Sequence, residues 1–260
     1  MKSKAEKKRY RKHVSDLIRK FAQALKSTNV LHDIKVFEDA AKQCLDGLNP
    51  IIAGIEIDNN DSWGYELRNV ILKVPQKSKT KGIFPEGANV NTITFSAKVI
   101  GNYLNGAYAA DPFSHIELNI VANGKSPDGS EMVACWHFDR DLKPKKGDNK
   151  PIDVHPIYHF QFAGKNLKLP SNNYGEHLVL DTPRIMHLPL DAILGLDFVL
   201  SNFLGGKRNM LKTNKPYVDC LKEVQKQFWR PYAHSIANKW DSYATNNYNW
   251  DASEICPQIF

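Results

Sequence analysis

The spacing of hydrophobic residues changes twice along this chain, and this change constrains the fold more than any other feature of the sequence. Near the amino end, apolar side chains recur on the 3.6-residue period of a helix, at Val14, Leu17, Ile18, Phe21 and Leu25. In the middle they alternate as in a half-buried strand, at Ile93, Phe95, Ala97 and Val99. From Pro189 onward the helical spacing returns. The sequence therefore predicts an α+β fold with a single antiparallel sheet of about five or six strands and with N-terminal and C-terminal helices packed on one face of it.

The expected elements form three consecutive parts of one domain. Residues 1–49 are expected to be a basic helical part, residues 50–187 the antiparallel sheet, and residues 188–260 the C-terminal helices and a tail. The expected strands lie between polar or turn-rich runs and cover residues 51–57, 65–73, 91–101, 115–121, 131–139 and 154–162. No shift in composition marks a linker, so residues 1–260 are interpreted as a single α+β domain.

Several residues predict where the helices begin, end or bend. The run Ser27–Asn29 offers side chains that could cap a second helix, and the pair Gly205-Gly206 is expected to end the central helix. Pro231 lies inside the last helical pattern, where a kink or a break is expected. Asp197 lies in an apolar helix, and because a buried carboxylate needs a partner, a salt bridge with a buried arginine is expected.

Positive charge is concentrated at the amino end of the chain. The net charge is +7, and residues 1–20 alone carry nine basic and two acidic side chains, a difference of +7. The rest of the chain is therefore balanced. A localised cationic segment suits a polyanion, so the candidate partners are nucleic acid, an acidic protein and an anionic membrane surface. The proposed nucleic-acid-binding residues are Lys4, Lys7, Lys8, Arg9, Arg11 and Lys12. The alternative is a solubilising helix end that has no partner.

The apolar runs, the cysteines and the missing motifs argue against several classes of protein. No apolar run reaches the roughly 18 residues of a membrane span, and no apolar stretch follows the charged start as it does in a signal peptide. The cysteines show neither paired nor zinc-ligand spacing, which predicts reduced thiols in the cytoplasm: Cys44, Cys135, Cys220 and Cys256. The phosphate-binding loop and the dinucleotide-binding glycine motif are absent, which argues against nucleotide hydrolysis and dinucleotide binding.

The last two expected strands carry the densest group of polar side chains. His137 and Asp139 share one face of the first strand, and His155 and His159 share one face of the second. If these strands are neighbours, the four side chains come close together as candidate catalytic residues, because histidine is the usual acid–base group near neutral pH. Imidazole and carboxylate are also ligands of Zn, Mn or Fe, but the metal and any cofactor stay unknown. On a strand, His155 and His159 lie about 13 Å apart, so both cannot bind one metal without a bulge. The alternative is histidines that decorate a half-exposed sheet face.

A second polar group lies between the sheet and the central helix. Arg184 could bind a phosphate group with two parallel hydrogen bonds, and His187 lies near the expected start of the helix, where anions are favoured. The alternative is a structural corner in which Arg184 pairs with Asp181 or Asp191.

Two segments resemble known proteins. They are HPIYHFQFAG, residues 155–164, and DTPRIMHLPLDAILGLDFVLSNF, residues 181–203. Both are similar to uncharacterised bacterial proteins found near mobile elements and phage-defence genes, for which no family is named. The resemblance implies a bacterial cytoplasmic protein that works in a multi-protein complex, and it transfers no catalytic residue.

Two functions of different classes follow from these observations. The first is a cytoplasmic binding module that engages nucleic acid or a partner protein through its basic N-terminal helix, as a subunit of a bacterial defence complex. The second is a hydrolase or nuclease that acts on nucleic acid with the histidine-rich site and with Arg184 steering phosphate. A third hypothesis is a subunit that binds other proteins through aromatic residues near Trp229, Trp240 and Trp250.

Overall fold

The structure is a computed structural model of the 260-residue chain, and it describes residues 2–52, 61–75, 86–103, 111–140, 156–162, 185–237 and 240. Most of the expected strand at 51–57 lies outside the described residues. The other five expected strands are present, with shifted ends.

The chain begins with two helices, α1 (Lys4–Ser27) and α2 (Lys35–Asp46). A capping box fixes the first turn of α1: the backbone N–H of Glu6 donates to Ser3 Oγ, and the backbone N–H of Ser3 donates to Glu6 Oε2. The expected caps of the second helix are wrong, because the Thr28 hydroxyl instead donates to the carbonyl of Ala24 and so closes the end of α1. Helix α2 begins after Ile34 without a side-chain cap and ends at Gly47, whose φ of +75° suits glycine.

The described residues form one antiparallel sheet whose strands follow each other in chain order. Its strands are β1 (Ser62–Lys73), β2 (Asn89–Asn102), β3 (Phe113–Lys125), β4 (Glu131–Arg140), β5 (Tyr158–Phe162) and β6 (Ile185–Met186). Strand β6 lies at the end of residues 50–187, the part expected to form the sheet, although no strand was expected at this position. The meander and the α+β class are confirmed.

The C-terminal helices are α3 (Ala192–Phe203), α4 (Gly205–Leu211) and α5 (Lys215–Ala237). Helix α3 packs on strands β2 and β3, where Gly195 allows a close approach: a Cβ atom there would lie 2.7 Å from Leu118 Cδ1 and 3.0 Å from Phe95 Cζ. Gly205 begins α4 instead of merely ending the preceding helix. Pro231 lies inside α5, which is not broken there and continues to Ala237.

The sheet has one apolar face and one polar face. The apolar face packs against α3 and carries alternate residues such as Phe95, Leu118 and Phe138, each no more than 1% exposed. We call the opposite face, defined by Glu117, His137, Asp139, His159 and their neighbours in register, the polar face. This separation follows from the two-residue period of a strand, and it puts the candidate site on the side of the sheet away from α3.

None of the helices in the described part of the chain combines the length and the apolar character needed to cross a membrane. Cys44, Cys135 and Cys220 are buried free thiols. Burial raises the pKa of the Cys44 thiol to about 12 and that of Cys220 to about 11, so these groups are not nucleophiles near neutral pH.

Candidate functional site

Strand register brings three of the four predicted catalytic residues together on the polar face. In the β4–β5 pair Asp139 lies directly opposite His159, and His137 lies opposite Gln161. His137 and Asp139 are two residues apart on β4, so their side chains point the same way. His155 lies outside the described residues. A catalytic role for these residues stays a prediction.

The three side chains converge at their functional atoms. One ligand-type atom of each of His137, Asp139 and His159 lies within 4.8 Å of the others. His137 Nε2 lies 3.2 Å from Asp139 Oδ2. His159 Nδ1 lies 3.1 Å from the carbonyl oxygen of Pro156. Because a carbonyl oxygen only accepts, Nδ1 carries a hydrogen in this contact, and in the neutral ring Nε2 then carries the lone pair.

Burial increases from one member of the group to the next. The side chain of Asp139 is 33% exposed and that of His137 16%, whereas His159 is 3% exposed. The alternative interpretation placed the histidines on a half-exposed sheet face, and the burial of His159 does not fit that alternative. The group therefore has one partly accessible carboxylate and one imidazole shielded from water.

A row of charged residues crosses the polar face and ends at the group. Successive partners in register are Glu66, Lys98, Glu117, Asp139 and His159, on strands β1 to β5. Lys98 separates Glu66 from Glu117, but Glu117 lies directly opposite Asp139. Like charges directly opposite each other on neighbouring strands are unfavourable, so this part of the sheet favours an added positive charge.

Two further residues of β3 face the group, and neither was among the predicted site residues. The side-chain amide of Asn119, which lies opposite His137, donates to Glu117 Oε1 at 3.0 Å. His115 lies on the same face, and both of its ring nitrogens are buried without a hydrogen-bond partner in the described structure. Burial lowers the pKa of His115, which keeps the ring neutral near pH 7. The alternation of residues 115–121 predicted the face of His115, but only the register of β3 with β4 shows its neighbours.

The predicted phosphate-binding residue Arg184 lies outside the described residues. His187 does not join the polar group: its ring packs against Phe138, Phe160 and Phe198 at centroid distances of 5.6 to 5.9 Å. Burial lowers the pKa of His187, so the ring is neutral near pH 7 and packs among aromatic side chains at the margin of the core. The expected salt bridge of Asp197 is present, since Arg208 Nε lies 2.8 Å from Asp197 Oδ1, but the arginine is 26% exposed and not buried as expected.

A second buried polar network lies on the apolar side of the same strands and was not predicted. Arg140 Nε donates to Asp111 Oδ2 at 2.8 Å, and the hydroxyl of Tyr158 donates to Asp111 Oδ1. Burial raises the pKa of Asp111, and Arg140 opposes that effect. All three groups have hydrogen-bond partners. The network therefore links the end of β4 to β5 and to the residues just before β3, and we interpret its role as structural.

The basic residues of α1 divide into two groups. Lys7 and Arg11 point toward the protein body: Lys7 Nζ lies 2.6 Å from Asp61 Oδ1, and Arg11 donates to the Tyr103 hydroxyl and to the carbonyl of Leu45. Lys4, Lys8, Arg9 and Lys12 are exposed. Lys12 pairs with Asp16 at 2.7 Å, an exposed ion pair that solvent screens.

The exposed side of α1 continues onto α5. Lys20 Nζ lies 3.8 Å from Asp219 Oδ2, which also accepts from Lys215 at 2.7 Å. The exposed Lys222 lies one turn further along α5. The cations therefore extend beyond the first turns of α1, although Asp219 offsets part of their charge.

The apolar side of the sheet carries a groove of about 260 Å³ beside α3. Its lining includes Trp136, Phe160 and Phe198. Phe162, at 47% exposure, stacks edge-on against Trp136 and extends the apolar surface. This groove lies on the opposite side of the sheet from the polar group.

Comparisons with known proteins add little to this geometry. No protein-family model matches the chain. Receptor-type tyrosine-protein phosphatase F of Danio rerio is 25% identical to this chain over 140 residues, which cover 50% of the chain. The chain spans only 7% of that protein's length, so the similarity concerns a small part of a much longer polypeptide. No solved structure matches.

Proposed function

We propose that this protein is a cytoplasmic binding module that engages nucleic acid through the exposed basic side of α1. The observation that carries this proposal is the exposure of Lys4, Lys8 and Arg9 on a helix whose first turn is held by a capping box. An ordered helix presents these charges without a further entropic cost of folding on binding, which favours contact with a polyanion.

The spacing of these residues supports a backbone contact. Lys4, Lys8 and Lys12 recur every four residues, so they lie about 6 Å apart on one side of the helix. Asp16 is the acidic residue that follows them on this side, and it pairs with Lys12 and Arg19. Lysine side chains act as point charges toward phosphate and give affinity without sequence preference.

The internal contacts of α1 reduce the number of charges available to a ligand. Lys7 and Arg11 bind groups of the protein itself and Lys12 pairs with Asp16, which leaves Lys4, Lys8 and Arg9 without an ion pair among the described residues. When the logarithm of the association constant is plotted against the logarithm of the salt concentration, three phosphate contacts on duplex DNA give a slope of about −3, whereas six contacts give about −5.

Fluorescence anisotropy with labelled duplex DNA, single-stranded DNA and RNA over a series of salt concentrations tests this proposal. We expect binding with a slope near −3, and we expect it to be lost when Lys4, Lys8 and Arg9 are replaced together by Gln. The matched control replaces the exposed Lys35, Lys42 and Lys73 by Gln and removes the same net charge elsewhere. Equal losses in both triple variants, or no binding to any nucleic acid, would contradict the proposal. In the latter case, binding of an acidic polypeptide would favour a protein partner.

The resemblance of residues 155–164 and 181–203 to proteins of phage-defence neighbourhoods supports a place in a bacterial multi-protein complex. Co-purification of a tagged chain with products of neighbouring genes tests it. Recovery of the chain alone under mild salt would argue against such a complex.

A second candidate function is hydrolysis of nucleic acid, and the convergence of His137, Asp139 and His159 favours it. Histidine and a carboxylate can activate water directly or through a metal ion. A cleavage assay on DNA and RNA with the wild type, Asp139→Asn and the β4 control Glu131→Gln tests it. Activity that Asp139→Asn abolishes and Glu131→Gln retains would support a nuclease, and absence of cleavage by the wild type with Mg²⁺, Mn²⁺ or Zn²⁺ would end this candidate.

A further inference from the structure

We propose that His137, Asp139 and His159 together bind one divalent transition-metal ion of the Zn²⁺ class on the polar face of the sheet. The site lies on β4 and β5 and shares no residue with the basic side of α1, so the inference does not depend on nucleic-acid binding. It would supply the metal for the second candidate function, but it is tested by binding alone.

The separation of the ligand atoms fits such an ion. Zinc binds imidazole nitrogen and carboxylate oxygen at about 2.0–2.2 Å, so two ligands of one tetrahedral ion lie about 3.3 Å apart. His137 Nε2 and Asp139 Oδ2 lie 3.2 Å apart, and the set of three atoms lies within 4.8 Å. Small side-chain rotations are therefore enough to bring the third ligand to the same ion.

The hydrogen bond of His159 orients its ring as metal-binding histidines are oriented. Such a ring commonly donates its other N–H to a backbone carbonyl, which fixes the tautomer and directs the lone pair at the metal. His159 makes this contact through Nδ1 to the Pro156 carbonyl. The ring is also 3% exposed, so burial and the hydrogen bond hold it in place.

The surroundings of the site favour a bound cation. Glu117 lies opposite Asp139 in the β3–β4 register, so two carboxylates occupy neighbouring positions. His115, on the same face, has two buried ring nitrogens without hydrogen-bond partners among the described residues. A metal-bound water on this face would offer one of these nitrogens a partner, and three protein ligands leave a coordination position open for that water.

The types of ligand point to a transition metal. Imidazole suits Zn, Fe, Cu and Ni, whereas Ca²⁺ and Mg²⁺ prefer sites made only of oxygen ligands. Two histidines and one carboxylate also form the ligand set of catalytic zinc sites and of non-haem iron sites.

Isothermal titration of the full-length chain with ZnCl₂, after dialysis against EDTA and removal of the chelator, tests the inference. We expect one Zn²⁺ per chain. Asp139→Asn keeps the size of the side chain and weakens binding by about tenfold or more, because it removes the charged ligand. His159→Asn places an amide N–H the same number of bonds from Cβ as Nδ1, so it keeps the donor for Pro156 and removes the ligand nitrogen.

Two control variants separate this site from chance binding elsewhere. Glu131→Gln changes an exposed acid at the start of β4, and His32→Gln changes an exposed histidine before α2. Both are expected to bind Zn²⁺ like the wild type, and circular dichroism is expected to show the same fold for all variants. The inference is overturned if the wild type binds no Zn²⁺, if both site variants bind it as tightly as the wild type, or if His32→Gln loses binding to the same extent as they do.

Discussion

Asp139 and His159 lie directly opposite each other on the neighbouring strands β4 and β5, one of them a third exposed and the other buried. Asp139 is the last carboxylate in the row of charged residues across the polar face. His159 lies next to it in register, and a hydrogen bond with the Pro156 carbonyl orients its ring. His137 completes the group from the same strand as Asp139. Because strand pairing holds these side chains, their relative positions depend on the rigid part of the sheet and not on a loop.

Asp191 gives a prediction about the dependence of stability on pH. This carboxylate caps α3 by accepting from the N–H of Leu194 at 2.9 Å, and burial raises its pKa to about 6. In the folded chain the carboxyl group of Asp191 therefore stays protonated up to about pH 6, whereas in the unfolded chain it loses its proton near pH 3.8. Since the folded state binds more protons in this range, the contribution of Asp191 to stability falls as pH rises from about 4 to 7.

Asp191→Asn keeps a capping oxygen and removes the ionisation. We expect the free energy of unfolding of the variant, relative to the wild type, to increase between pH 4.5 and pH 7.5 by an amount on the order of 2 kcal/mol. Urea unfolding at the two pH values measures it. Asp33→Asn is the control, since Asp33 also accepts a backbone N–H, that of Lys35, but is exposed. The same pH response in both variants would contradict the prediction.

Gly101 gives a prediction about packing at the bulge between β2 and β3. A Cβ atom at this position would lie 2.3 Å from Cζ2 of Trp63, whose ring is fully buried. We expect Gly101→Ala to lower the free energy of unfolding by about 1–3 kcal/mol, because the indole cannot move into a packed core. Chemical denaturation followed by tryptophan fluorescence measures the change.

Gly206 is the matched control for Gly101. It lies in α4, where a Cβ atom would have no neighbour within 4 Å. Gly206→Ala is expected to raise stability by about 0.5–1 kcal/mol, since alanine favours a helix. A Gly101→Ala variant as stable as the wild type would show that the indole can shift.

Arg208 gives a prediction about the junction of α3 with α4 and α5. Its guanidinium donates to both carboxylate oxygens of Asp197, at 2.8 and 3.0 Å, and the Tyr217 hydroxyl donates to the same carboxylate at 2.6 Å. Lysine cannot form both parallel bonds, so we expect Arg208→Lys to cost about 1–2 kcal/mol. Thermal and urea unfolding measure the loss.

The control for Arg208 is Arg68→Lys. Arg68 also pairs with a carboxylate, that of Glu66, but its side chain is 76% exposed. We expect a change of no more than about 0.5 kcal/mol, as is usual for exposed ion pairs. Equal costs for the two substitutions would mean that the geometry of the Asp197 pair gives no added stability.

Ser3 gives a prediction about the first turn of α1, which presents Lys4. Ser3→Ala removes the oxygen that accepts the N–H of Glu6, and we expect it to cost about 1 kcal/mol of local stability. Hydrogen exchange of the Glu6 and Lys7 amides would then become faster, whereas Ser3→Asn, which keeps a capping oxygen, would leave it near the wild-type rate. Unchanged protection in Ser3→Ala would show that contacts such as that of Lys7 with Asp61 hold the turn by themselves.

The fold was largely predictable because its strongest signals are local. Alternation at Ile93 to Val99 fixed the buried side of β2, and the spacing of Val14 to Leu25 fixed the buried side of α1. The misassigned caps at Ser27–Asn29 show the limit of this approach, because the same hydroxyl can begin one helix or close another.

The sequence by itself determined the period of each segment, and so the face on which His137, Asp139 and His159 lie, because the direction of a side chain follows from the local backbone. Only the tertiary structure decided that Asp139 meets His159 and Glu117, and that Lys7 and Arg11 turn inward to Asp61 and Tyr103. Strand register and salt bridges join residues far apart in the chain. Which strand register and which salt bridges form depends on how the whole core packs, and no short stretch of sequence encodes that packing.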